Sequence, residues 1–405
     1  MSYFTITNGT ITSPQGFKAG AIYAGIKKCQ SDVLDVGIVF SENLCTAAGM
    51  FTANAIKAAP VLVSQEHIRD GMAQAIVVNS GCANACTGET GLLAARDIAS
   101  ATAKKFNIMP QHVLTASTGI IGVQLPLQVI KKGIEKIVVS RDNGHAMARA
   151  IMTTDTFPKE IALEAELNEE KKNIVIGGIA KGAGMIHPNL ATMLCFLTTD
   201  ANVSQDFLAT ALKKAVDKSF NMVTVDGDTS PNDSIILLAN GCAQNRELNI
   251  DSAYADTFCK ILEEVCMYLA KQLTKDGEGA TKLIEVTVER AFNIEQARSG
   301  ARTVAGSSLV KSAIHGSDPN WGRILAAIGR SGAAIDESKV DLYLHNVCLM
   351  KSGVIQPFDT DPLRILLDLP EVPIRINLNL GDSSATAWGC DLSEDYVKIN
   401  SEYTT

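Results

Sequence analysis

Little in this 405-residue sequence is basic, aromatic or arranged for metal or disulfide chemistry, and each shortage closes off a class of function. The 36 Lys and Arg against 44 Asp and Glu leave a net charge of −8, so no basic field exists to hold a polyanion, and nucleic acid is not expected as a partner. The ten cysteines include no CxxC pair, and several fall inside apolar helical or strand patterns, which fits buried, reduced thiols in a cytosolic protein. His67, His112, His145, His315 and His345 show no ligand spacing such as HExxH, so no metal site is expected. Asp226 and Asp228 are not followed by a twelve-residue calcium pattern. The segment Met1 to Ala19 has neither a basic stretch nor an apolar run, and nothing approaches the length of a membrane span. A cytoplasmic protein without membrane partners is therefore expected.

What is present is 46% hydrophobic residues, 5% aromatic and 31 glycines, enough chain for two or more layers around a large core of α/β type. Thr5 to Thr12 alternate around Asn8-Gly9 and predict a hairpin. Apolar runs predict strands at 75–78, 174–176, 193–197, 222–225, 235–238 and 283–288. Helical spacing places Leu92, Ala95, Ala99, Thr102 and Phe106 on one stripe, and Phe207, Leu208, Ala211, Leu212, Ala215 and Val216 on another, with Ser204 as an N-cap. A long helix is predicted from about Ala255 to Thr274, and Tyr396 to Ile399 alternate like a strand. The chain carries no low-complexity linker and no strict internal repeat.

The most informative stretch runs from Gly177 to Met193. Its glycines suggest a phosphate loop, but Ala183 stands where a Walker loop needs Lys, and His187 where the dinucleotide fingerprint needs Gly. A tight backbone path beside a reacting group is the remaining use for them. Lys181 to Leu194 read KGAGMIHPNLATML, and here the chain resembles the ornithine acetyltransferase (glutamate N-acetyltransferase) family, whose cleavage signature has the form KGxGMI-x-PNxATML. Further family-like blocks are Ser117 to Gly122, Met152 to Thr156, Thr224 to Ser230, Asp276 to Lys282, Asp318 to Arg323 and Ser384 to Cys390, spread in one order over nearly the whole chain. Cys82 and Pro231 depart from the pattern, which has Asn and Thr there.

The resemblance implies self-cleavage between Ala191 and Thr192, giving an α chain of residues 1–191 and a β chain of 192–405 that opens with the nucleophile Thr192. The chemistry stands on its own terms. A Thr hydroxyl is a poor nucleophile without a base, and an N-terminal residue supplies one in its own α-amine, which titrates near ~8. Taken alone, Thr192 is a β-branched strand residue and Ser117-Thr118-Gly119 an ordinary turn. The resemblance makes the Thr118 hydroxyl and the Gly119 N–H an oxyanion hole. It assigns substrate contacts to Thr154, Lys181, Thr192, Glu278, Asn400 and Thr405; Thr153 and Thr156 compete with Thr154, and as isolated charges Lys181 and Glu278 would be solvated surface. It also implies a mixed α/β fold, a layered α-β-β-α sandwich with a second, smaller domain, and an α2β2 heterotetramer. The implied reaction is ping-pong transfer of acetyl from N-acetylornithine to glutamate in arginine biosynthesis. No bound cofactor is implied, and acetyl-CoA is admitted as a co-substrate, the bifunctional variant of the family. The alternative is a self-cleaving aminopeptidase or amidase of related fold, in which water resolves the acyl-enzyme.

Overall fold

The computed structural model describes residues 3–27, 33–167, 172–187 and 193–402. Its larger sheet is built from β1 (Tyr3–Thr5), β2 (Phe17–Ile22), β3 (Val36–Phe51), β4 (Met72–Cys82), β5 (Val113–Ile120), β6 (Lys159–Leu167), β7 (Lys172–Lys181), β8 (Leu194–Thr199) and β10 (Ser234–Ala239), with β9 (Val223–Thr224) assigned to the other sheet. The strand order is β1-β6-β7-β8-β10-β3-β4-β5, and β2 pairs with β3. The first half of β3 pairs with β2 and β4, its second half pairs with β10, and the register against β4 breaks between Phe40 and Cys45.

That irregularity lets the sheet fold over on itself. Val39, Ile76, Val78, Leu114 and Ala116 from one half share a buried cluster with Ile179, Leu194, Phe196, Ile236 and Leu238 from the other, so the two halves face each other. The alternate residues point outward. Ala75, Val77 and Val113 pack under α1 (Ala59–His67), α2 (Gly88–Phe106) and α3 (Leu127–Lys136), while α4 (Gly144–Ala150) lies beside β2. On the opposite side Cys195, Leu197, Ile235 and Leu237 pack under α5 (Gln205–Lys218) and α6 (Ala255–Lys275). The result is the expected α-β-β-α layering, with the period of two visible along each strand.

A second, mixed sheet of seven strands extends the molecule, in the order β14 (Val354–Ile355), β13 (Val347–Lys351), β12 (Asp341–Leu344), β15 (Glu371–Asn377), β11 (Leu283–Ala291), β16 (Ser383–Cys390), β9. Small residues Ala297, Gly300 and Ala301 bring α7 (Ile294–Ala305) onto β11 and β16, with α8 (Ser308–His315), α9 (Trp321–Gly329) and α10 (Thr360–Leu367) beyond it. Helix α6 touches both sheets and joins the two parts through one continuous core.

Most predicted elements lie where the periodicity puts them, and all six residues of the predicted α5 face are buried. Two differ. Asn8 does turn the chain, with φ of 54°, but β1 pairs with β6 instead of folding back on Thr10 to Thr12. The tail predicted as a strand is helix α11 (Glu394–Glu402). Among the described residues no helix is long and apolar enough to cross a membrane.

Phe196 is fully buried between the two sheet halves. Phe196→Ala should cost about 3–5 kcal/mol, read as a lower midpoint of urea unfolding.

Candidate active site

One cleft, about 730 Å³ including its open mouth, collects residues from six separate stretches of the chain at one end of the folded-over sheet. Thr118 and Gly119 arrive at the end of β5, Thr153 and Thr154 between α4 and β6, Lys181 at the end of β7, Asn232 just before β10, Glu278 just after α6, and Asn400 on α11. Of the sequence-predicted residues, Thr118, Gly119, Thr154, Lys181, Glu278 and Asn400 all line it. Ala191, Thr192 and Thr405 lie outside the described residues.

Lys181 is the centre of the polar network. Its side chain is 4% exposed, and its Nζ donates to Thr153 Oγ1 at 2.7 Å and Thr118 Oγ1 at 3.3 Å. Because the Thr118 oxygen accepts from an ammonium, its own proton is free to point at a developing oxyanion. Behind Lys181 lies Asp155, 4.0 Å from Nζ, and behind that Lys159, whose Nζ bonds Asp155 Oδ1 at 2.7 Å and Asp276 Oδ2 at 2.5 Å. Burial alone would push the Asp155 carboxyl up, but the Lys181 and Lys159 charges and the Gly182 N–H outweigh it and hold it at about 2. Burial pulls the Lys181 ammonium below the usual lysine range, against the raising effect of Asp155. A buried cation so placed gains from any carboxylate that enters the cleft.

The threonine block is now sorted by partner. Thr153 accepts from Lys181 and lines the cleft together with Thr154, while Thr156 donates its hydroxyl to Asp276. Two glycines are required by close approach. Gly119 has φ of +126°, and a Cβ there would sit 2.4 Å from the Gly81 carbonyl carbon; a Cβ on Gly184 would sit 2.4 Å from Glu278 Oε2. Glu278 Oε2 also accepts from Asn400 Nδ2 at 2.8 Å.

Several residues that hold the cleft in shape have no role that motif or spacing assigns. Asp226 accepts from the N–H groups of Met185 at 2.6 Å and Ile186 at 2.8 Å, strapping the loop upstream of Pro188, and Tyr396 donates its hydroxyl to the same carboxylate at 3.3 Å. Asn232 donates to the carbonyls of Ala83 at 2.6 Å and Ser117 at 2.8 Å, fixing the strand end that carries Thr118. Asp233 accepts from the Met193 N–H at 3.0 Å. His187 contacts Thr224 Oγ1 at 3.2 Å, and burial lowers its pKa. The paired acids in Asp226-Gly227-Asp228 were the one visible local signal; the partners of Lys159 are too distant in sequence to leave one.

The Thr118 hydroxyl bonded to the buried Lys181 ammonium, with the Glu278 carboxylate in the same cleft, suits an acyltransferase, the class to which the chain's relatives assign it. The chain belongs to the ArgJ family, whose model matches residues 18–405. It is 54% identical over 400 residues to the arginine biosynthesis bifunctional protein ArgJ of Dehalococcoides mccartyi, covering 99% of this chain and 98% of that protein. The protein of the same name from Caldanaerobacter subterraneus is 47% identical over 406 residues, covering 99% and 100%. A crystal structure of the arginine biosynthesis bifunctional protein argJ of Bacillus halodurans matches with a TM-score of 0.50 at 42% identity, covering 51% of this chain and 97% of the solved chain.

Asp155 has a depressed pKa, so its contribution to stability is complete above the ordinary value of 3.8 and is lost as pH falls towards about 2. Asp155→Asn, which leaves Lys159 and Lys181 short of a buried counter-charge, should cost about 3–5 kcal/mol at neutral pH. It should also flatten the acid limb of stability between those pH values, measured by urea unfolding across the pH range.

Proposed function

We propose that the protein is a glutamate N-acetyltransferase of arginine biosynthesis that cuts itself between Ala191 and Thr192 and carries acetyl on Thr192. The observation that carries this reading is the convergence of Thr118, Gly119, Lys181 and Glu278 on one cleft beside the strand that follows the cut. Lys181 pairs in register with Leu194, two residues beyond the nucleophile. The half-length match to the solved Bacillus halodurans chain supports it, since a single product of a mid-chain cut has about that length.

In the precursor, the Thr192 hydroxyl attacks the Ala191 carbonyl, and water resolves the resulting ester, releasing the α-amine that later acts as base. In the first half of transfer, Oγ1 of Thr192 attacks the acetyl carbonyl of N-acetylornithine while the α-amine takes its proton. The tetrahedral oxyanion meets the Thr118 hydroxyl and Gly119 N–H, and the departing ornithine nitrogen receives the proton. Glutamate then attacks the acetyl ester with its amine, restoring Thr192 and giving N-acetylglutamate. Atoms balance without a bound cofactor, and acetyl-CoA enters only as an alternative acetyl donor. Lys181 suits the substrate carboxylate and Glu278 a substrate ammonium, with Thr154, Asn400 and Thr405 completing the contacts.

The cut products stay together as α and β chains because β7 and β8, on either side of the bond, are paired. The assembly is α2β2, of about twice the 43.1 kDa of one precursor chain, in the cytoplasm.

Purified protein should run as two chains on a denaturing gel, the second beginning with Thr192 by N-terminal sequencing. Thr192→Ala should stay intact and inactive, and a fully active, uncut wild type would refute the mechanism. With N-acetylornithine and no glutamate, mass spectrometry should find acetyl on the 192–405 chain; ornithine released catalytically without glutamate would mark a hydrolase instead. Thr118→Ala should slow transfer by roughly 10²-fold or more, measured as steady-state transfer rate.

A further inference from the structure

Asp233 immediately precedes β10 and is 1% exposed. Its backbone is locked: the Thr52 N–H donates to its carbonyl at 3.0 Å, and the next residue, Ser234, donates its N–H to the Met193 carbonyl at 3.2 Å. In the side chain, Oδ1 accepts the Met193 N–H at 3.0 Å. Its Oδ2 is buried and has no hydrogen-bond partner among the described residues. Among the described residues a carboxylate oxygen there meets no donor, a position that favours the neutral acid, whose O–H is left to be given away. Burial raises the Asp233 pKa well above the carboxylate range, outweighing the Met193 N–H and the facing charge of Lys181, which lower it. The neutral acid is favoured at this position, and its proton is not needed to anchor Met193 through Oδ1.

The bond that the proposed cut would break, Ala191-Thr192, comes immediately before Met193 in the chain. Met193, whose N–H Asp233 binds, follows Thr192 directly in the sequence, and one residue spans at most about 3.6 Å of chain. We propose that Asp233 is the acid of the self-cleavage step, a role that rests on the reading of Thr192 given above. The bond from Thr192 Oγ1 to the Ala191 carbonyl carbon forms, and the bond from that carbon to the Thr192 nitrogen breaks. Asp233 Oδ2 gives its proton to the departing nitrogen, and the proton released by Oγ1 returns to Oδ2. The acid ends as it began, and no other reactant is consumed until water opens the ester. Without protonation, the nitrogen would have to leave as an amide anion, so a fixed acid beside it has a direct effect on rate.

The test uses full-length precursor made by cell-free translation, with cutting followed on a denaturing gel. Asp233→Asn keeps the size of the side chain and the carbonyl oxygen that accepts the Met193 N–H, but has no acid proton. It should fold with the wild-type circular dichroism spectrum and cut at least ~10²-fold more slowly. Wild-type cutting should slow as pH rises through the pKa of the acid, and the residual rate of the Asn variant should not follow that profile. A folded Asn variant that cuts at the wild-type rate would show that Asp233 only anchors Met193 and would overturn the proposal. Should the Asn variant fail to fold, the wild-type profile still decides: a cutting rate that does not fall with rising pH overturns the proposal. A wild-type chain that never cuts removes the Thr192 reading itself, and this proposal with it; cutting in the wild type with an unaffected Asn variant removes the Asp233 role alone.

Discussion

Lys159 places a whole ammonium group where its side chain has no exposed surface, between the carboxylates of Asp155 and Asp276. Such a group is tolerable only while both partners stay in place, because removing one leaves a buried charge uncompensated. The three side chains therefore tie the 152–156 loop, the start of β6 and the end of α6 into one unit. Lys181 rests on that unit through Asp155, and the Gly182 N–H bonds the same carboxylate at 2.7 Å. The direction in which Lys181 presents its charge to the cleft is thus set several residues away from the cleft itself.

The second constraint is the fold-over at β3. In strand order, β5 and β7 are far apart, yet Lys181 reaches Thr118 at 3.3 Å. Doubling the sheet at the irregularity between Phe40 and Cys45 brings the two strand ends across the sandwich, with Asn232 and Asp233 bridging them from the start of β10. Two adjacent residues of one connection, Asn232 and Asp233, hold the strand end that carries Thr118 and the residue that leads into β8. Packing between the sheet halves and the geometry of the cleft are consequently not separable: a shift of either half changes the distance between Thr118 and Lys181.

The legible parts of the sequence were those with long, regular patterns. The face of α5, the strands β8 and β10, and the length of α6 followed from periodicity, since each element buries one face against a continuous core. The hairpin at Asn8-Gly9 failed because the partner of β1 is β6, far along the chain, and a local turn signal carries no information about a remote strand. The tail failed for a different reason. Four residues from Tyr396 to Ile399 are too few to separate a period of two from one of 3.6, whereas Ser393 followed by Glu394 and Asp395 is an acidic helix start that the reading passed over. At the site, motif resemblance located Thr118, Gly119, Thr154, Lys181, Glu278 and Asn400, which gather in one cleft. It did not reveal Asp155 with Lys159 and Asp276, or Asp233, because their meaning lies in who touches whom across the fold.

The ladder between β7 and β8, from Lys181 opposite Leu194 to Ile176 opposite Thr199, forms while the chain is continuous. Once the connection is cut as proposed, the same hydrogen bonds hold two molecules together, and the short loop that made their meeting cheap in entropy is gone. Unfolding then becomes dissociation, and recovery depends on protein concentration instead of proceeding within one chain. The mature enzyme would persist because separation is slow, not because reassembly is easy. Its continuous precursor is therefore a folding template that the mature form has discarded, and heat or denaturant should erase information that the two products no longer share along a single backbone.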